Sequence, residues 1–107
     1  MSKSEKEATL RELRSFATSV MMNLGEAQRD MALCEEQHHL ADIAKLIASE
    51  AEDVSDAMRE VATIAHGIAE LRHRQSVEVA DKYDMSYKAV NSIISDLEED
   101  IAKEDAK

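Results

Sequence analysis

Apolar residues recur along the first third of the chain in steps of three and four, at Leu10, Leu13, Ala17, Val20, Leu24, Ala27, Met31 and Cys34. A helix completes a turn every 3.6 residues, so these steps fall on one stripe and predict a helix over about residues 7–38. Phe16, Met21 and Leu33 widen the stripe into a face. Ser4 followed by Glu7 has the form of a capping box and sets the expected start. The rhythm resumes with Leu40, Ile43, Ile47, Val54, Met58, Val61, Ala65 and Ile68, with Glu50 or Ala51 at the intervening step, which predicts a second amphipathic segment over about 40–71. Its opposite side carries Glu52, Asp53, Asp56, Arg59 and Glu60. A helix with one apolar face buries it against another, so both segments are expected to associate.

Two polar stretches interrupt the pattern. The first, Glu35 to His39, contains no strong helix breaker, and it leaves two courses open: a turn into an antiparallel hairpin, or a continuous helix that pairs with a second protomer as a coiled coil. The second, Arg72 to Ser76, precedes a shorter helical piece from Val77. Asp84-Met85-Ser86 then offers a turn, with Ser86 as the N-cap of a last helix carrying Ala89, Val90, Ile93, Ile94, Leu97 and Ile101. Residues 103–107 are expected to fray. The organisation read from this is a helical association region over 1–71, with stripes at 10–34 and 40–71, followed by shorter helices and an acidic tail over 72–107.

Composition narrows the fold class to all-α. Proline is absent, glycine occurs twice, and no Asn-Gly or Asp-Gly hairpin signal is present. The three aromatic residues, Phe16, Tyr83 and Tyr87, leave Leu, Ile, Val, Met and Ala to build a core. The expected architecture is a set of long amphipathic helices forming a helical hairpin, bundle or coiled coil. At 107 residues the core of a single domain is thin.

The formal charge of −10 is uneven, and residues 72–97, with four basic and four acidic side chains, form the one neutral stretch. An acidic chain repels nucleic acid and anionic membrane at long range, which disfavours DNA as a partner and favours a protein with a basic surface. The single Cys34 cannot form an internal disulfide, and no apolar run nears the roughly 20 residues that span a bilayer. The expected compartment is the cytoplasm.

Within the neutral stretch, Val79-Ala80-Asp81-Lys82-Tyr83-Asp84-Met85-Ser86 has a small residue four before the turn and a serine at the head of a second helix. This phrasing, over residues 76–96, resembles the helix-turn-helix of DNA-binding regulators. The resemblance implies that Val79, Ala80, Tyr83, Val90 and Ile93 pack the two helices together. It also implies that Ser86, Tyr87, Lys88, Asn91 and Ser92 face the major groove. Asp84 stands where the motif has its turn glycine, and Asp96, Glu98, Glu99 and Asp100 follow where phosphate-binding cations belong.

Metal ligation has a weaker claim. Glu36 with His39 and Glu70 with His73 have the Glu-x-x-His spacing that holds metals in ferritin-like bundles; Glu35 with His38 repeats it, and Cys34 with His38 are one turn apart. These pairs lie in the polar breaks rather than on a stripe, so no metal and no cofactor are expected. His66, beside the second stripe, reads as a hydrogen-bonded bundle histidine rather than a ligand. No Ser-His-Asp ordering, phosphate loop or paired-cysteine motif occurs, and catalysis is not expected.

The leading expectation is therefore a non-enzymatic helical protein that self-associates through Leu10, Leu13, Ala17, Val20, Leu24, Met31, Ile43, Ile47, Val54, Met58, Val61 and Ile68. The alternatives are a dimeric helix-turn-helix regulator, an acidic mimic of nucleic acid centred on residues 50–60, and a helical metal-binding protein.

Overall fold

The computed structural model describes residues 1–106, and among them the protein is all-α: helix α1 spans Lys3–Glu50, helix α2 spans Asp56–Asp105, and there are no strands. The chain is a helical hairpin whose contacts fall into two units. One joins Met1–Glu26 to the part of α2 from Asp81 onward; the other is the continuous stretch Ala27–Ala80.

The cap of helix α1 lies two residues before the expected one. Ser2, not Ser4, accepts the Glu5 backbone N–H on its hydroxyl oxygen at 3.1 Å, and its carbonyl accepts the Lys6 N–H at 3.0 Å. Ser2-x-x-Glu5 repeats the Ser4-x-x-Glu7 pattern, and the upstream copy gains two more helical residues. At the polar stretch 35–39 the helix continues without a turn, consistent with the absence of any breaker there.

The reversal comes instead at 51–55, inside the expected second segment. Ser55 caps α2 through the Met58 N–H at 3.2 Å, and Asp56 places a negative charge in the first turn, where the helix dipole favours it. The end of α1 carries no basic residue of its own. Arg59 of α2 supplies one: Nε donates to the Ala48 carbonyl and Nη2 to the Ala51 carbonyl, both at 3.0 Å, while Nη1 bonds Asp56 at 3.1 Å. Two carbonyls at the end of α1 and a carboxylate at the start of α2 thus meet one guanidinium.

Helix α2 runs unbroken through 72–76 and 84–86, so the expected helix-turn-helix over 76–96 does not form and Ser86 caps nothing. The reasons are local. Ser76 is buried in mid-helix with its hydroxyl donating to the His73 carbonyl at 2.6 Å, which satisfies it without ending the helix. Asp84 ion-pairs with Lys88 one turn on at 2.8 Å, a spacing that supports helix. The helix also persists through Asp105, beyond the expected onset of fraying at Lys103; Lys107 lies outside the described residues.

In the unit containing the chain's start, Leu10, Ala17, Val90 and Ile94 are buried together, with Leu13, Leu97 and Ile101 packed against them. Val20 and Leu24 extend the buried row on α1. Steps of three and four on both helices average 3.5 residues and keep the two rows facing each other. The helices run antiparallel, as Lys6 pairing with Glu104 at 2.7 Å and Arg14 with Glu98 at 3.0 Å require, and Lys3 pairs with Asp105. Hydrogen bonding to Asp105 and Glu104 raises the pKa of Lys3 and Lys6, respectively, above the usual lysine value.

Candidate functional site: the alanine and histidine seam and its apolar flanks

In the Ala27–Ala80 unit the same three-and-four spacing picks out different chemistry. The positions turned inward on α1 are Ala27, Met31, Cys34, His38, Ala41 and Ala48; on α2 they are Ala62, His66, Ala69, His73, Ser76 and Ala80, all buried or half-buried. Alanine has no bulk to hold helices apart, and the inward row here buries little apolar area. The large aliphatic residues sit off that row. Leu40, Ile43, Leu46 and Ile47 on α1 are exposed, as are Met58, Val61, Ile64, Ile68 and Leu71 on α2.

The stripe read from sequence therefore divides. Leu10, Ala17, Val20 and Leu24 are buried, and Leu13 and Met31 are half-buried. By contrast, Ile43 is 42% exposed, Ile47 59%, Met58 63%, Val61 65% and Ile68 48%, while Val54 in the turn is half-buried. The first stripe is spent inside the hairpin. The second lies open.

The residues assigned to a DNA groove all lie on continuous α2. Ser86, Lys88 and Ser92 are exposed, Asn91 and Tyr87 are half-buried, and the Tyr87 hydroxyl sits 3.9 Å from the Met21 sulfur. Asp84 occupies the Lys88 ammonium and raises its pKa by hydrogen bonding, so the one basic residue of the set is neutralised by a neighbour. With no turn, no recognition helix is set apart to enter a groove.

The Glu-x-x-His pairs do not assemble. Glu35, Glu36 and His39 are exposed, and Glu70 bonds Arg74 at 3.2 Å. Cys34 is half-buried beside a shallow groove shared with Asp30, Arg72, Gln75 and Ser76. A different set comes together: His38 and Asp42, one turn apart on α1, meet His66 of α2. The His66 Nε2 contacts Asp42 Oδ1, and the His38 Nε2 lies 3.9 Å from the same oxygen. The rings of His38 and His66 are 5.2 Å apart, and His73 stacks on His38 at 5.7 Å. Three of the four histidines thus share one patch. The signal available in sequence was the recurrence of His66 and His73 seven residues apart, one heptad, facing His38 once the turn is placed at 51–55.

Among the described residues, no helix is long and apolar enough to cross a membrane. No protein-family model matches this chain, and no curated protein or solved structure is significantly similar to it.

Proposed function

We propose that this protein is a non-catalytic helical interaction module that self-associates through the exposed aliphatic flanks of residues 40–71. The observation that carries this reading is the mismatch in the Ala27–Ala80 unit, where the inward row is alanine and histidine while Ile43, Ile47, Val61 and Ile68 face outward. Exposed large apolar side chains gathered on one stretch of a hairpin suit an interface, and each such side chain contributes about 1.5–3 kcal/mol when fully buried. Four of them per protomer outweigh the modest contributions of surface ion pairs.

The occupant is a second copy of the same hairpin. Branched aliphatics on both flanks suit packing against their own kind in a four-helix arrangement, the smallest assembly that covers two flanks at once. Charge sets its direction: Glu52, Asp53, Asp56 and Glu60 gather around the turn with Arg59 as the only cation. Two hairpins packed head to tail keep these acidic ends apart, and a two-fold axis makes the contact self-complementary. The remaining acidic surface then faces outward, suited to a basic protein partner rather than to DNA.

Sedimentation of the purified chain at micromolar concentration tests this reading. A dimer or larger assembly is expected for the native sequence, and Ile43→Glu with Ile68→Glu is expected to yield a helical monomer.

A further inference from the structure

We infer that His38, Asp42 and His66 form a binding site for a divalent transition metal of the zinc type. The donor atoms of these three residues lie within 4.8 Å of one another, and all three belong to the Ala27–Ala80 unit. Zinc takes imidazole nitrogen at about 2.0–2.1 Å and carboxylate oxygen at a similar distance in a tetrahedron, which sets its donors roughly 3.3 Å apart. The 3.9 Å between His38 Nε2 and Asp42 Oδ1 and the closer contact of His66 with the same oxygen lie on either side of that value.

The chemistry of the donors points the same way. Both histidines turn Nε2 toward one oxygen, Asp42 Oδ1, so a cation placed among the three meets two imidazole nitrogens and a carboxylate oxygen. Two imidazoles and one carboxylate match zinc and its first-row neighbours and are a poor match for magnesium or calcium, which take oxygen donors. Three protein ligands leave a fourth position for water.

The setting favours a built site over a chance surface cluster. His38 and His66 are half-buried on the inward rows, where the other unit places Leu, Val and Ile. A histidine there gives up apolar burial, and ligation offsets that loss. Ala41 and Ala69 flank the histidines on the same rows, and His73 stacks on His38. Because His38 and Asp42 come from α1 and His66 from α2, the bound ion ties the two helices together beyond the turn.

The test is titration of the tag-free full-length chain with Zn²⁺ by calorimetry and with Co²⁺ by visible absorption. One ion per chain is expected, with the intense absorption of tetrahedral cobalt and a rise in melting temperature on adding zinc. His66→Asn and Asp42→Asn are each expected to weaken binding by more than about tenfold, and His39→Asn, at an exposed position outside the cluster, to leave it unchanged. Far-UV circular dichroism confirms that each variant remains helical. The Ile43→Glu, Ile68→Glu double variant is expected to bind zinc as the native chain does, which separates this inference from self-association. Absence of cobalt absorption at about millimolar ion, or binding undiminished in both His66→Asn and Asp42→Asn, would overturn it.

Discussion

Arg59 and Gly67 show how much a single position decides in a hairpin this thin. The Arg59 guanidinium joins two carbonyls at the end of α1 to Asp56 at the start of α2, and it holds the reversal closed without the glycine that usually ends a helix. Charged hydrogen bonds at a half-buried site carry about 1–2 kcal/mol between them. Arg59→Ala is expected to lower stability by about that amount in urea denaturation, and Arg59→Lys, which cannot span three acceptors, to recover little of it. Gly67 is the opposite case. It lies in mid-helix with open space where a Cβ would sit, so Gly67→Ala is expected to raise the urea midpoint, by about 0.5–1 kcal/mol in free energy. A loss of stability instead would show that something packs closely over this position.

The helices themselves were largely legible in the sequence, and their boundaries were not. The absence of proline, the strong helix formers and the three-and-four spacing lead directly to long helices, and the buried row Leu10, Ala17, Val20 and Leu24 was readable from that spacing alone. The position of the turn was obscured because its signals are weak. Ser55 before Asp56 is an ordinary cap, and the partner that closes the α1 terminus is a side chain eight to eleven residues downstream. The helix-turn-helix resemblance failed for a related reason: serine and aspartate mark helix starts when their side chains cap, yet here Ser76 bonds back to the preceding turn and Asp84 pairs forward with Lys88. Met85, fully committed to α2 and 69% exposed, separates the two readings. Met85→Pro is expected to cost about 3 kcal/mol, read as a drop in urea midpoint, because it breaks a continuous helix. Tolerance of proline there would restore a turn at 84–86.

The histidine cluster was the least legible feature, because its members are close only after the turn is known. The Glu-x-x-His spacing drew attention to Glu36, His39, Glu70 and His73, yet local spacing brings together only residues on one helix. His38 and His66 are 28 positions apart and meet through the reversal at 51–55.

For the molecule as a whole, the decisive contrast is between the two units. One closes its own core with Leu10, Val90 and Ile94, while the other lines its seam with alanine and histidine and leaves Ile43, Ile47, Val61 and Ile68 to solvent. On the proposed reading, a chain with so little interior of its own gains stability by sharing it, and that added stability depends on concentration. Sedimentation equilibrium over a range of concentrations, run on the native chain beside Ile43→Glu, Ile68→Glu, puts this to the test. The account predicts a native dimer or larger assembly that the double substitution converts to a helical monomer. A native chain that is fully folded and monomeric throughout, or a double variant that associates as tightly as the native chain, would contradict it.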